Sequence, residues 1–155
     1  MADLAALIER LENLEAPDRA LDAEIACEIR YPDLRPAHPD DHQEHQRGYP
    51  PSPGDIWCPT GFLMAPAYTS SMDDAASLIP PDHDWSLFSD NGENLAGCMP
   101  ASEQGCDLSN CRGATPAIAL SIAAIKARIE LQNIRKEVSE HGQHLSEIEN
   151  TKTTG

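Results

Sequence analysis

The first thirty residues carry apolar side chains at the three-and-four spacing of two short amphipathic helices. One face of the first helix contains Leu4, Leu7, Ile8, Leu11 and Leu14. Asp3 stands directly before this run as an N-cap, and Asp18 does the same for a second helix after the break at Pro17. The second helix places Leu21, Ile25 and Ile29 on one face. The chain is therefore predicted to open with two helices joined by a tight turn.

The periodic pattern disappears between Tyr31 and Pro66. The segment "YPDLRPAHPDDHQEHQRGYPPSPG" is rich in proline and charge, which predicts an extended surface loop or a disordered insert at about 31–66. The sequence "DIWCPTGFLMAP" near its end predicts one short strand.

A short helix is predicted within "YTSSMDDAASLIPP". Thr69 or Ser70 can cap it, Asp73 and Asp74 suit the helix dipole in its first turn, and Pro80 stops it. The alternative interpretation of Asp73 and Asp74 as paired catalytic acids is less economical, because a first helical turn explains both carboxylates.

A β-hairpin and the start of a long helix follow. The segment "HDWSLFSDNGENLAGCM" alternates around Asn91-Gly92, a dipeptide that favours a two-residue hairpin turn. Asp82, His83 and Asp84 are predicted to form the polar turn that precedes it. After a cysteine-containing loop, Thr115-Pro116 combines a capping hydroxyl with a proline suited to the first helical position.

The long helix carries two apolar faces. The first consists of Ile118, Ile122, Ile125 and Ile129, the narrow stripe that a helix needs to cover a sheet. The second is a heptad seam: Leu120, Ala124, Ala127, Leu131, Ile134, Val138, His141, Leu145 and Ile148. The uncharged stretch before Lys126 is only thirteen residues long, 113–125. A membrane-spanning helix needs about 20 apolar residues. No membrane span is therefore expected.

The charges beside the seam favour pairing with a second copy of the chain. Arg128 and Arg135 take e positions, and Glu130 and Glu137 take g positions. In a parallel pair Glu130 approaches Arg135 of the other chain, which is attractive. We predict a parallel self-associating coiled coil from about Leu120 to Val138, fraying near Gly142, with Glu130, Leu131, Ile134, Arg135 and Val138 at the interface. For residues before Leu131, cover by the two N-terminal helices is an equally good alternative.

Charge is distributed unevenly along the 155 residues. The formal net charge is −15, and residues 1–112 hold 21 of the 26 acidic residues but only 6 of the 11 Lys and Arg. An acidic body disfavours direct nucleic-acid binding, which requires a basic footprint, and suits a partner protein with a basic surface. The N-terminal sequence lacks the pattern of a signal peptide, so a cytoplasmic location is expected, with the five Cys as free thiols or metal ligands.

Four separated blocks resemble the phage ABA-sandwich domain family, small proteins of phages and prophages: "LIERLENLEAPDRALDAEIACEI", "PAYTSSMDDAASLIP", "WSLFSDNG" and "GATPAIALSIAAIKAR". The resemblance covers roughly 1–30 and 66–130. It implies an α+β fold in which a small antiparallel sheet is covered by helices, and it brings no defined reaction. We expect one domain over 1–138 and a polar extension, fraying or disordered, over 139–155.

Two clusters are candidate zinc ligands, although the expectation is no cofactor. His38, His42 and His45 lie in "HPDDHQEH", but prolines disfavour the rigid helix that would preorganise them. The second cluster consists of Cys58, Cys98, Cys106 and Cys111, in which only Cys106 and Cys111 have zinc-like spacing. Cys27 fits helix packing better than coordination.

The chain carries no phosphate loop, metalloprotease motif or nucleophile elbow, so we expect no enzyme. The leading hypothesis is a non-enzymatic, oligomeric phage or prophage accessory protein that acts by binding a host or phage partner. One alternative is a module that sequesters a metabolite or nucleotide, which requires Arg112, Lys126 and Arg128 to cluster. Another is a zinc-stabilised protein.

Overall fold

The computed structural model describes residues 3–42, 50–103 and 111–152. Side chains are described for all of these residues except His42 and residues 145–152. The helices are α1 (Leu4–Glu12), α2 (Arg19–Ile29), α3 (Met72–Ala76) and α4 (Pro116–Lys152), with a 3₁₀ turn at Pro39–His42. The strands are β1 (Arg35–Pro36), β2 (Asp55–Cys58), β3 (Gly61–Met64), β4 (His83–Asp90), β5 (Glu93–Pro100) and β6 (Cys111–Gly113). They form two antiparallel sheets, ordered β1-β2-β3 and β4-β5-β6. The predicted α+β class and antiparallel pairing are confirmed, but the strands form two small sheets where one was expected.

The helix starts follow the local signals in the sequence. Asp3 accepts a hydrogen bond from Ala5 N, and Asp18 accepts from Ala20 N and Leu21 N, so both predicted caps are confirmed. Thr115 Oγ1 accepts from Ile118 N at 3.1 Å, and α4 begins at Pro116 as expected. The predicted cap of α3 is wrong: neither Thr69 nor Ser70 takes that place, and Ser71 accepts from Asp74 N at 3.2 Å.

The described parts of the proline-rich insert, residues 31–42 and 50–66, are more ordered than the sequence predicts. Its end forms two paired strands, β2 and β3, where one was expected, and β1 adds a third. Arg35 holds this part together: its guanidinium makes two hydrogen bonds to Asp41, at 2.9 and 2.8 Å, and lies 4.9 Å from the centroid of the Trp57 ring. A bidentate ion pair and a cation–π contact on one side chain link β1, the 3₁₀ turn and β2.

The second sheet is built on the predicted hairpin. Asp90 pairs with Glu93, and the turn between them places Asn91 at φ 51° and Gly92 at φ 82°. Positive φ at both central residues is what a type I′ turn requires, and Asn-Gly supplies it at little steric cost. The hairpin is therefore confirmed at the predicted residues.

Helix α4 is the centre of the core. It packs on β5, β6, α3 and α1, and Ile118, Ile122 and Ile125 are fully buried. The approach to β6 is close enough that a Cβ on Gly113 would lie 2.4 Å from the backbone nitrogen of Ala119. Glycine at this position therefore allows the helix and the sheet to meet. The helix continues past Gly142, where fraying is predicted, to Lys152.

A buried polar network joins α2 to the segment 65–69, which connects the two sheets. Asp22 is fully buried and accepts hydrogen bonds from Thr69 N and Arg19 Nη1, both at 2.8 Å. Arg19 also donates to the carbonyl oxygen of Ala65 at 2.6 Å. Burial raises the pKa of Asp22, against the opposing effect of its hydrogen bonds from Thr69 and Arg19.

The same segment is bonded to the long helix. Ser121 Oγ donates to the carbonyl oxygen of Tyr68 at 2.9 Å, and Thr115 Oγ1 donates to that of Thr69 at 3.2 Å. The segment is thus held from both sides, by α2 and by α4. Among the described residues, no helix is both long and apolar enough to cross a membrane.

Replacing Asp22 with Ala should lower the free energy of unfolding by about 2 to 3 kcal/mol, because a buried N–H of Thr69 and the Arg19 guanidinium lose their partner. Glu24→Ala is the matched control on the same helix, since it breaks the exposed pair with Arg10 and should cost at most about 1 kcal/mol. Urea denaturation of both variants checks the prediction. Equal losses would show that burial of Asp22 has no special role.

The Arg35–Asp41 pair should make the insert sensitive to acid. Hydrogen bonds from Arg35 lower the pKa of Asp41 to about 2, below its unfolded value of about 3.9. The pair therefore stabilises the fold above about pH 4 and loses that effect as the pH falls towards 2. Asp41→Asn should be less stable than wild type at pH 6, with the deficit shrinking between pH 4 and 2, as measured by urea denaturation. The same change at Asp33, which is exposed and forms no ion pair among the described residues, should give no such pH-dependent deficit.

Candidate functional site

The exposed part of α4 presents an apolar strip to solvent. Every described side chain in 132–144 is exposed, including Ile134 at 55% and Val138 at 68%. Leu131 is half-buried at the base of this part. Helical residues three and four apart lie on one side. Leu131, Ile134 and Val138 therefore form one continuous strip, which we call the exposed seam.

The first part of the predicted heptad seam is not available to a second chain. Leu120, Ala124 and Ala127 are buried within the domain, where α1 packs against α4. The prediction that a coiled coil begins near Leu120 is therefore wrong. The alternative was cover by the two N-terminal helices, and of these α1 packs against α4. Glu130 and Arg135, the predicted interface charges, are both exposed beside the exposed seam.

Strand β4 forms an apolar edge of the second sheet. Trp85 pairs with Cys98 and Leu87 pairs with Ala96, so both side chains share the face of fully buried Ala96. Trp85 is nevertheless 45% exposed and Leu87 37%, because β4 lies at the end of the strand order. Phe88, on the other face, is 38% exposed. We call Trp85, Leu87 and Phe88 the apolar edge.

A cleft of about 580 Å³ opens where the exposed part of α4 leaves the domain. Its walls are the start of α1, the end of α2, the prolines before β4 and one side of α4. The charged side chains lining it are Arg128, Arg135 and Lys136 on α4, with Asp3 and Glu28 opposite. Cations therefore outnumber carboxylates in this cleft, although acidic residues dominate the protein as a whole.

The positive charges of the cleft differ from those elsewhere in the structure. Nine Lys and Arg have described side chains, and five of them form ion pairs with carboxylates: Arg10, Arg19, Arg35, Arg112 and Lys126. The other four have no carboxylate within ion-pair distance among the described residues: Arg30, Arg128, Arg135 and Lys136. Three of these four line the cleft. In a chain with 26 acidic residues, the unpaired cations are thus concentrated at one place.

Arg128 is the most constrained of these cations. Its Nε donates to the carbonyl oxygen of Leu78 at 2.5 Å, which fixes the guanidinium at the wall of the cleft. Burial lowers the pKa of Arg128, and the nearby positive charge of Arg30 lowers it further. Arg30 itself donates to Ser77 Oγ at 2.8 Å. Arg128 is therefore a half-buried guanidinium that lies beside a second cation.

The structure does not bring together the three bases proposed for ligand binding. Arg112 pairs with Glu93 at 3.1 Å, and Lys126 pairs with Glu12 at 3.0 Å. Neither lines the cleft that Arg128 lines. Arg135 and Lys136 take their place beside Arg128, and sequence reasoning missed this role for both. Their spacing from Arg128 along one helix was a usable signal, but the walls from α1 and α2 arise only from tertiary packing.

The histidine cluster lies only partly within the described residues. His38 is exposed, its Nδ1 lies 3.4 Å from Asp40 Oδ2, and its backbone N–H donates to Asp41 Oδ2 at 2.6 Å. His42 ends the 3₁₀ turn, and its side chain lies outside the described part, as does all of His45. Within the described residues, no group of three or more His, Cys, Asp or Glu side chains is arranged to hold a metal ion.

The cysteines divide between the two sheets. Cys111 pairs with Ala96, so Cys98, two residues along β5, lies diagonally across from it on the same face. Cys58 belongs to the other sheet, where its thiol donates to the carbonyl oxygen of Gly61 at 3.2 Å. Cys106 lies outside the described residues. Burial raises the pKa of Cys98 to about 11, with Cys111 and Glu130 adding to the rise, and a protonated thiol is a poor metal ligand.

The remaining candidate residues have structural roles. Asp74 Oδ2 accepts from Ala67 N at 2.7 Å, and Asp73 is exposed in the first turn of α3. Asp82 has φ 60° in the turn before β4. Cys27 is buried in α2, as predicted, and burial raises its pKa to about 11.

Comparison with known proteins gives no relative for this chain. No family model matches it, and no curated protein or solved structure is significantly similar to it. The resemblance to phage ABA-sandwich domains therefore stays a prediction from the four sequence blocks.

Proposed function

We propose that this chain is a non-enzymatic accessory protein that self-associates through the exposed seam and acts by binding a protein partner. The observation that carries the proposal is the course of α4, which continues past the domain with Ile134 and Val138 in solvent. Burying such a side chain is worth roughly 1.5 to 3 kcal/mol. A helix face of this kind is stabilised when a second copy covers it.

The charges beside the exposed seam support a parallel pair. Glu130 and Arg135 are exposed on either side of it, and in a parallel arrangement the carboxylate of one chain approaches the guanidinium of the other. An antiparallel arrangement places like charges together, which disfavours it. Parallel pairing also leaves both domains at the same end, where they can act on one partner.

The proposal includes a phage or prophage origin, an ABA-sandwich domain and a place in the cytoplasm of a bacterial host. Its support is the order of the four sequence blocks, together with the packing of α4 against α1, β5 and β6. The resemblance supports the phage or prophage origin and hence the bacterial host. The packing supports an arrangement in which helices cover a small sheet.

We further propose that the apolar edge is where the partner binds. An edge strand presents backbone N–H and C=O groups that an extended segment can pair with, while Trp85 and Leu87 offer apolar contacts. Asp84 and Asp90 on the same strand are exposed, and the chain carries a net charge of −15. The complementary partner is therefore an extended segment rich in basic and apolar residues.

The double variant Ile134→Glu, Val138→Glu should be monomeric at micromolar concentration, whereas the wild-type chain should sediment as a dimer or larger assembly. Charged residues in the seam cannot be buried against a second copy without a partner. Ser139→Glu, an exposed position outside the seam, is the matched control and should leave the assembly intact. A sedimentation mass of one chain for the wild type would refute self-association.

A photo-crosslinking amino acid at position 85 should form adducts with one basic protein in the cell that encodes the chain, because the Trp85 side chain lies on the binding edge. The same probe at Ser139 is the control and should not capture that protein. Mass spectrometry of the adducts identifies the contacted segment, which should be extended and basic. If the only adducts are with another copy of this chain, the apolar edge contacts a second copy and is not the binding site of a different protein.

A further inference from the structure

We propose that the cleft at the base of the exposed part of α4 binds a small phosphorylated molecule that carries hydroxyl groups, such as a sugar phosphate. Binding here does not require self-association, although Leu131 and Arg135 line the cleft and also belong to the proposed self-association surface. Arg128 and Lys136 lie in the cleft lining but not in the exposed seam. The cleft volume of about 580 Å³ lies within the range of small-molecule sites, roughly 300 to 1,000 Å³.

The cations of the cleft supply the phosphate contacts. Arg128, Arg135 and Lys136 have no carboxylate within ion-pair distance among the described residues. Of the six other Lys and Arg with described side chains, five form such a pair and only Arg30 does not. A guanidinium offers a planar fork to phosphate oxygens, and an ammonium adds a point charge. Arg128 is already oriented by its hydrogen bond to the carbonyl oxygen of Leu78. These three groups can therefore bind a dianion that the rest of this acidic protein repels.

The carboxylates of the cleft define the rest of the ligand. Asp3 and Glu28 lie in the lining opposite α4, yet neither forms an ion pair with the cleft cations within the described residues. Asp3 is engaged in part, since it accepts a hydrogen bond from Ala5 N at 3.1 Å. A carboxylate has more acceptor sites than this one bond uses and can accept from ligand hydroxyls. A phosphate at one wall and hydroxyl groups at the other match the two kinds of charge.

The walls of the cleft discriminate against a bare anion. Asp3 and Glu28 add negative charge to the cleft. An anion without hydrogen-bond donors is repelled by these carboxylates, whereas a ligand with hydroxyl groups can donate to them and binds with a more favourable free energy. Gln132 and Asn133 contribute amides that can donate or accept. Ribose 5-phosphate should thus bind more tightly than inorganic phosphate, and ribose alone should not bind measurably.

Isothermal titration calorimetry of the full chain with ribose 5-phosphate, ribose and inorganic phosphate tests the proposal. An ionic strength of about 0.15 M screens the distant acidic charges while leaving contacts in the cleft effective. Lys136→Gln should weaken ribose 5-phosphate binding by roughly tenfold, the value of one charged hydrogen bond. Arg112→Gln, which removes a cation that is paired elsewhere, should leave the affinity unchanged.

A second variant tests the guanidinium fork. Arg128→Lys keeps the charge but loses bidentate geometry and should also weaken binding, with thermal unfolding measured in parallel to confirm the fold. Lys136 lies off the exposed seam, so Lys136→Gln should keep the sedimentation mass of the wild type. Loss of ligand binding is therefore distinguishable from loss of assembly.

Three results would overturn the proposal. The first is no heat from ribose 5-phosphate at millimolar concentration. The second is equal weakening by Lys136→Gln and Arg112→Gln, which would indicate general charge effects. The third is that inorganic phosphate binds as tightly as ribose 5-phosphate. This would show that Asp3 and Glu28 do not contribute to ligand recognition.

Discussion

The buried carboxylate of Asp22 is the contact on which the arrangement of the elements depends. It fixes the backbone of Thr69, and through Arg19 it also fixes that of Ala65, so the segment between the two sheets has one position relative to α2. Ser121 bonds the same segment to α4. A charge with no access to water is stabilised only when hydrogen bonds satisfy it, so this network tolerates few alternative arrangements.

A core with few aromatic side chains is stabilised by close approach of its backbones. Aromatic residues are only 5% of the chain, and the buried part of α4 is rich in small side chains, among them Ala119, Ala123 and Ala124. Small side chains bring the helix near its neighbours, as the contact between Gly113 and Ala119 shows. Burial of α4 on several sides follows from this composition, and it explains why the heptad seam is open to another chain only from Leu131 onward.

The parts of the structure that were predictable are those determined by local chemistry. The caps at Asp3, Asp18 and Thr115 and the Asn91-Gly92 turn depend on residues a few positions apart, and sequence reasoning located all of them. The ordered insert was not predictable, because Arg35 orders it through contacts with separate elements. The cleft was missed for the same reason. Its cations were visible in the sequence, but their lack of an ion-pair partner among the described residues is a property of the folded chain.

The length and direction of α4 have an electrostatic consequence. At about 1.5 Å per residue, a 37-residue helix extends roughly 55 Å, and its domain lies at the N-terminal end. A parallel pair would thus hold two bodies of like negative charge side by side, with the helices trailing in one direction. Added salt screens this repulsion over distances longer than about 10 Å and leaves apolar burial intact. Salt also weakens the exposed Glu130–Arg135 contacts between the chains, but exposed ion pairs are worth little. Pairing of the helices should therefore tighten as ionic strength rises.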